Sequence, residues 1–399
     1  MRWAKFVTLI GALWLTTAAP VHSGAQEPSA RESQRQSALG FEEEGKIAEA
    51  EAGWKSLLSS RPNDAEAYAH LGLLEARQEH YTEAIVLYQK ALSLDPKMPS
   101  LRLNVGLSYF KAGNFAAAIQ TFEPLLQKEP KSSPEALRLV TLLGLAHYGM
   151  GEYAAAVPYL KQATAADPEN LPFRLSLAQS CLRTKQYQCV LDVYREILAL
   201  NAESAEADML AGEAYDELKN DDGAIAEFQA AVKADPRTPD VHFGYGYLLW
   251  KALKFDEAGK AFRSELANNP EHSLALAYLG DTEIRLNHSE EAVPYLERAV
   301  RLQPSIAIAH VDLGAIYEGK GRKDDAAREL KTAEKLSPDD PSIHWRLGRF
   351  YQSIGRTAEA KAEFDKTRSM QRAKEQSLQE QMRQAEAMPA AQNTDIGPK

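Results

Sequence analysis

The sequence has little of what catalysis and metal binding usually require. Only two of its 399 residues are cysteine, which leaves no cysteine-rich metal spacing. It contains no Gly-rich phosphate-loop pattern, no His-Glu-x-x-His pair and no Gly-x-Ser-x-Gly turn. These absences remove the common sequence signatures of enzymes and metal carriers. We therefore expect no enzymatic activity, no cofactor and no metal site.

Positive charge is also scarce. The chain has 46 Lys and Arg against 56 Asp and Glu, a net charge of −10. A nucleic-acid-binding protein would present a basic face, so we expect no nucleic-acid partner. The composition, 44% hydrophobic and 26% charged, is that of an ordered protein. Its length exceeds one ordinary core, which predicts several domains or an extended repeat array.

Long apolar runs are confined to the N-terminus. Arg2 and Lys5 precede an apolar run over 6–19, and small residues follow, which is the order of a secretory signal. Ser23 and Ala25 suit cleavage before Gln26. An uncleaved anchor is less favoured, because the run is shorter than the roughly 20 residues that span a bilayer. We expect a signal peptide over 1–25, removed near Ala25, and a periplasmic or secreted protein.

What the sequence does have is a 34-residue period, interrupted by one four-residue insertion near 131–136. Prolines follow it at Pro62, Pro96, Pro130, Pro236, Pro270, Pro304 and Pro338. Glycines follow it at Gly72, Gly106, Gly144, Gly212, Gly246, Gly280, Gly314 and Gly348. Alanines follow it at Ala50, Ala84, Ala118, Ala156, Ala224, Ala258, Ala292, Ala326 and Ala360. Three columns that share one period and one insertion indicate a repeat protein.

The spacing within each repeat predicts two antiparallel helices. Small residues are needed where two helices touch, so the Gly column marks the first helix and the Ala column the second. An aromatic or Leu residue such as Tyr88 or Phe122 lies four positions after the Ala, on the same helical face. Each second helix should stop before its proline, as at Asp95-Pro96 and Asn269-Pro270.

This pattern resembles the tetratricopeptide repeat family, best seen in AYAHLGLLEARQEHYTEAIVLYQKALSLDP over 67–96. The resemblance covers 31–372 as ten repeats. It implies an all-α fold, an α-α superhelix (solenoid) of about ten 34-residue helix-turn-helix repeats. We expect the solenoid over 26–372, with 31–64 as one cap. A capping helix extension and a disordered tail should follow over 373–399.

The resemblance also implies a concave groove, lined by the first helices, that binds partner segments. Phe243, Tyr247 and Trp250 recur at three-to-four spacing, away from the face of Gly246, so they are expected to point into it. Tyr278 is expected beside them. A second apolar patch is predicted at Leu103, Leu107, Phe110, Leu145 and Tyr148. The alternative is that the rings merely pack against neighbouring first helices.

Two further groups of residues have competing interpretations. Cys181 and Cys189 flank the turn of one repeat and form either a disulfide or two buried thiols. His242, His310 and His344 share one column, and half-buried ring packing explains them more simply than a metal site. The acidic run over 42–44 is expected to lie exposed.

These observations favour a non-enzymatic protein-protein interaction scaffold that binds a partner segment with apolar anchors. The alternative is a structural or oligomerising component of an envelope or secretion assembly. A monomer is favoured. No segment after the N-terminal run is long and apolar enough to cross a membrane.

Overall fold

A computed structural model describes residues 30–98, 100–200 and 204–387. The predicted signal peptide and the predicted disordered tail from 388 onward lie outside these residues. Within them, every regular element is an α-helix, which confirms the all-α solenoid class. No helix among them is long and apolar enough to cross a membrane.

The chain divides into two compact units, the first ending at Lys128 and the second beginning at Glu129. The first unit contains three helical hairpins. Their helices are α1 (Ala30–Glu43), α2 (Ile47–Ser60), α3 (Ala65–Arg77), α4 (Tyr81–Leu94), α5 (Leu101–Lys111) and α6 (Phe115–Leu126).

The second unit contains seven helical hairpins, built on the same plan. Their helices are α7 (Pro134–Gly149), α8 (Tyr153–Ala166), α9 (Leu171–Arg183), α10 (Tyr187–Ala199), α11 (Ala205–Glu217), α12 (Asp221–Ala234), α13 (Val241–Lys251), α14 (Phe255–Asn268), α15 (Ser273–Arg285), α16 (Ser289–Leu302), α17 (Ala307–Gly319), α18 (Lys323–Leu336), α19 (Pro341–Ser353) and α20 (Thr357–Ala387). The last helix runs through residue 372, where the sequence predicted a domain boundary.

Helix ends follow local chemistry. The Asp64, Asn114 and Ser204 side chains each accept a hydrogen bond from a backbone N–H in the first turn of the helix they cap. The second helices α4 and α14 stop one residue before Asp95-Pro96 and Asn269-Pro270, as predicted.

The glycines of the column pack against the aromatic or Leu residue four positions after the Ala column, so small residues lie where the two helices touch, as predicted. A Cβ built on Gly246 would lie 2.8 Å from the Phe262 ring, and one on Gly72 would lie 2.7 Å from the Tyr88 ring. Nearly every alanine of its column is fully buried. The second glycine of the stretch VHFGYGY, Gly244, faces the Phe228 ring of the preceding hairpin just as closely. Both glycines are therefore packing residues, because a larger side chain would push the helices apart.

Two members of the histidine column tie their first helices to the turn before each helix. The ring of His344 bonds the Pro338 carbonyl through Nε2 (2.8 Å) and the Glu363 carboxylate through Nδ1 (2.6 Å). His310 repeats the arrangement with the Pro304 carbonyl, at 2.9 Å. Both rings are buried. Hydrogen bonds to a carbonyl and a carboxylate therefore hold these two rings in place.

The expectation that the whole acidic run over 42–44 lies exposed was wrong at Glu42. This residue is buried, accepts from Trp54 Nε1 at 2.5 Å and bonds His70 Nδ1 at 2.9 Å. The rings of Trp54 and His70 stack at 4.3 Å between centroids. The Glu42 carboxylate can be buried because the ring N–H groups of Trp54 and His70 donate hydrogen bonds to it.

Candidate functional site

In the second unit, the first helices of successive hairpins form one continuous face. The first helices are the odd-numbered ones, and each of them from α7 to α17 contacts the next first helix along the chain. Each second helix packs between the first helix of its own hairpin and the first helix of the following hairpin. Side chains that leave the first helices away from the second helices therefore share one surface, which we call the inner face.

Four of the predicted groove residues come together on the inner face of α13 and α15. Tyr278 is the centre of this aromatic cluster. Its ring centroid lies 5.9 Å from Phe243, 5.3 Å from Tyr247 and 5.1 Å from Trp250. All four side chains are partly buried. Burial raises the pKa of the Tyr278 hydroxyl to about 12, with Tyr247 and Asp281 adding to the shift.

The rings of the cluster differ in how firmly the fold holds them. Trp250 donates its indole N–H to the Asp281 carboxylate of α15 at 2.6 Å. Phe243 also packs on Phe262 of α14, with centroids 6.0 Å apart. Among the described residues, the Tyr247 ring lies against the rings of Phe243, Trp250 and Tyr278, and the Lys251 ammonium lies 5.9 Å from its centroid. All three rings of α13 thus pack against Tyr278 of the neighbouring helix α15, and Trp250 is also held there by a hydrogen bond.

Phe243 and Tyr247 also line a cavity of about 630 Å³ on the inner face. The end of α9, the turn after it and the start of α10 form one wall through Arg183, Lys185 and Tyr187. Helix α11 forms another, and residues at the start of α15 close the end. Its volume is within the range of small-molecule and side-chain sites. We call this cavity, with its walls, the α9–α15 groove.

Carboxylates dominate the α11 wall of the groove. Glu213, Asp216 and Glu217 all line it, and Asp240 does so at the start of α13. Although Glu213 remains open to solvent, the surrounding protein atoms desolvate its carboxylate and raise its pKa. The charge of Arg183 opposes this shift, and Asp216 and Glu217 add to it.

Sequence reasoning missed the α11 wall, although the repeat register contains it. Met209, Glu213 and Asp216 lie 34 residues before Phe243, Tyr247 and Trp250, and they line the same groove. The same columns continue into the preceding repeat, but there Glu213 and Asp216 stand where α13 has aromatic residues.

The predicted second patch is divided between the two units. Leu103, Leu107 and Phe110 lie on α5 in the first unit, where Phe110 meets Phe115 edge-on at 5.4 Å. Leu145 and Tyr148 lie on α7 in the second unit and pack against the core around α9 and α10. All five are partly buried. None of them lines the α9–α15 groove.

The two cysteines pin the turn that forms the α9 wall. Cys181 and Cys189 are joined by a disulfide with their Cα atoms 6.0 Å apart. Cys181 lies at the end of α9 and Cys189 at the start of α10, and the turn between them supplies Arg183, Lys185 and Tyr187 to the groove. The bond thereby limits how far this wall can move.

Three groups of His, Asp and Glu within the described residues are close enough to hold a cation. In two of them a basic side chain already bonds the carboxylates: Arg263 bonds Glu283, and Lys366 bonds Glu363 at 2.9 Å. In the third, His272 is engaged on both ring nitrogens, by the Ala275 N–H at 3.0 Å and by Asp240 at 2.8 Å. Each group thus has at least one member that is already hydrogen-bonded or ion-paired.

Comparison with known proteins identifies the repeat. Two family models, both described as Tetratricopeptide repeat, match the chain almost continuously. One matches 75–143 and 147–189; the other matches 36–99, 191–239, 222–273, 243–305, 278–341 and 312–373. The chain belongs to the tetratricopeptide repeat family. Repeats of this family imply a scaffold for protein-protein interaction, and no catalytic family is indicated.

Curated relatives share the repeats over part of their length. The chain is 25% identical over 280 residues to the Protein CTR9 homolog of Arabidopsis thaliana, covering 68% of this chain and 26% of that protein. It is 32% identical over 90 residues to the Peroxisomal targeting signal receptor of Eremothecium gossypii, covering 22% of this chain and 16% of that protein. The chain thus spans about a quarter or less of these two relatives.

Solved structures show the same kind of similarity. The APC/C hetero-tetramer Cut9-Hcn1 aligns with a TM-score of 0.45 at 14% identity, covering 86% of this chain and 87% of that one. A tetratricopeptide repeat protein from Parabacteroides merdae aligns with a TM-score of 0.48 at 19% identity, covering 67% and 97%.

Proposed function

We propose that this protein is a non-enzymatic scaffold that binds a segment of a partner protein in the α9–α15 groove. The observation that carries the proposal is the groove itself, an open cavity of about 630 Å³ with Phe243 and Tyr247 in its lining. Partly buried aromatic side chains in a recess are frequent hot spots in protein interfaces. The family supports the same kind of role, since its members use the face of the first helices.

We further propose that the protein is exported, to the periplasm or the cell exterior. Support comes from the charged, apolar and small-residue order over 1–25 and from the Cys181–Cys189 disulfide, a bond that persists in oxidising compartments. Intact-mass analysis of the native protein tests this directly. A chain that begins at Gln26 is the expected result, and one that retains residues 1–25 in a cytosolic fraction would refute export.

The groove is tested by removing one of its aromatic side chains. Tyr247→Ser is the suitable change, because no hydrogen bond among the described residues ties Tyr247 to a neighbouring helix, whereas Trp250 has one. We expect the affinity for a peptide selected for binding to the wild-type protein to fall about tenfold or more, the usual effect of losing a hot-spot ring. The melting temperature should change little.

Tyr81→Ser provides the matched control. Tyr81 is also partly buried, but it begins a second helix in the first unit. Its loss should leave affinity for the peptide unchanged. If Tyr247→Ser lowers the melting temperature by many degrees, Tyr247 is a core residue and the proposed site is wrong.

A further inference from the structure

We infer that the α9–α15 groove recognises a cationic side chain, a Lys ammonium or an Arg guanidinium, on an otherwise apolar partner segment. Glu213 would face the positive charge and the Tyr247 ring would cover its carbon stem. This inference rests on the proposed function and names the chemical class of partner for that site.

The first support is the charge left over in the groove. Of its carboxylates, Asp216 pairs with Lys251, Glu217 accepts from the Tyr187 hydroxyl at 3.2 Å, and Asp240 bonds the His272 ring. The carboxylate of Glu213 has no hydrogen bond or ion pair with any residue that the structure describes. One anion of the groove is therefore available to a ligand.

The second support is the free-energy cost of keeping the Glu213 carboxylate ionised. Protein atoms desolvate its carboxylate and raise its pKa, even though the side chain is open to the groove. A cation that enters the groove would remove this cost, because an opposite charge favours the ionised form. An anionic ligand would increase the cost.

The third support is the aromatic lining. The ring of Tyr247 lines the groove, and the Lys251 ammonium, one turn along the same helix, lies 5.9 Å from its centroid. Aromatic faces attract ammonium and guanidinium groups, and the attraction grows as water is excluded. A groove that combines a free carboxylate with partly buried aromatic rings therefore matches Lys or Arg better than it matches an acidic or purely apolar residue.

The basic residues of the α9 wall limit which partner segments the groove can bind. Arg183 and Lys185 also line the groove, and Arg183 acts electrostatically on Glu213 without forming an ion pair with it. The four lining carboxylates still outnumber these two cations and the Lys251 that pairs with Asp216. The segment is therefore expected to carry one or two positive side chains among apolar ones, with acidic residues excluded from the Glu213 end.

The test begins with a randomised peptide library selected on the purified full chain with its disulfide intact. Enrichment of Lys or Arg among peptides that Tyr247→Ser no longer binds is the expected result. If such groove-binding peptides show no cationic enrichment, the inference is overturned while the proposed function stands. If no peptide depends on Tyr247, or light scattering shows a dimer that Tyr247→Ser dissociates, the proposed function fails as well.

A double-mutant cycle then locates the charge. One selected peptide is compared with its counterpart in which Arg is replaced by citrulline, a neutral isostere, on the wild type and on Glu213→Gln. We expect either change alone to weaken binding about tenfold, and both together to weaken it little further. Asp222→Asn on α12 removes the same charge from an exposed position and should have no effect. Independent, fully additive losses would show that Glu213 does not meet the cation.

Discussion

The indole of Trp250 and the carboxylate of Asp281 join the first helices of two successive repeats through a hydrogen bond of 2.6 Å. Asp281 is only 3% exposed, and its other described partner is Arg285, one turn along the same helix. The aromatic cluster of the groove is therefore also part of the contact between repeats. Mutations of its residues are therefore expected to differ in how much they lower the stability of the fold.

Trp250→Phe should destabilise the fold. The change keeps an aromatic ring but leaves the buried Asp281 carboxylate without its indole donor, which typically costs about 1–3 kcal/mol. Chemical denaturation followed by circular dichroism measures the loss. Trp345→Phe is the control, because Trp345 is 46% exposed. Equal stabilities of the two variants would contradict the structural role of the hydrogen bond.

Gly246→Ala should destabilise the hairpin of α13 and α14. The new Cβ would lie 2.8 Å from the fully buried Phe262 ring, and overpacking of this kind typically costs about 1–3 kcal/mol. Gly40→Ala is the matched change in open space, since no atom lies within 4 Å of a Cβ there. It should stabilise α1 by up to about 1 kcal/mol through helix propensity. Thermal unfolding measures the difference in stability between the two variants. Equal melting temperatures would show that Gly246 is not needed for the contact between the helices.

Replacing both cysteines by alanine should weaken the α9 wall. The disulfide closes a loop with a sequence separation of 8, for which the chain-entropy relation gives about 2.5 kcal/mol of stabilisation. Urea unfolding with and without reductant measures it. The wild type should lose stability on reduction, and the Cys181→Ala, Cys189→Ala variant should not respond. Complete alkylation of both thiols in the unreduced native protein would refute the bond.

Asp312→Asn should stabilise the protein near neutral pH. Asp312 is buried, its Oδ2 has no hydrogen-bond partner among the described residues, and burial raises its pKa well above the usual value. Asp281 adds to the shift, whereas Arg285 and Arg346 oppose it. The gain should be about 1 kcal/mol or more at pH 8, because the neutral amide avoids the cost of an ionised carboxylate in a buried site.

The sign of the pH dependence follows from the raised pKa. The folded state binds this proton more tightly than the unfolded state does. The stability that Asp312 contributes is therefore fully present below its unfolded pKa and is lost as the pH rises through its folded pKa. The advantage of Asp312→Asn should thus grow between pH 4 and pH 8. An advantage that shrinks over this range, or Asp222→Asn giving the same curve, would contradict the assignment.

The repeat architecture could be read from the sequence because it depends on residue size at fixed spacing. Gly246 and Ala258 are small where their helices touch, and every repeat restates the same requirement. The helix ends at Asp95-Pro96 and Asn269-Pro270 were predictable for a similar reason, since proline restricts the residue before it.

The groove could be predicted only in part. The three-to-four spacing of Phe243, Tyr247 and Trp250 indicated one face, and the structure brings Tyr278 to it. The acidic wall at Glu213 was missed because it comes from the preceding repeat, where the same columns hold other residue types. Burial of Glu42 was missed because an acidic run looks solvent-exposed until the ring N–H groups that satisfy it are known.

The central claim is that the α9–α15 groove holds a partner segment, and site-specific photo-crosslinking tests it most directly. Benzoylphenylalanine in place of Tyr247 should crosslink, in the native cell, to one partner segment that mass spectrometry maps to a stretch with Lys or Arg among apolar residues. The same probe in place of Asp222, on the outer helix α12, should give no such product. Crosslinks to that segment from position 222 and none from position 247 would contradict the account.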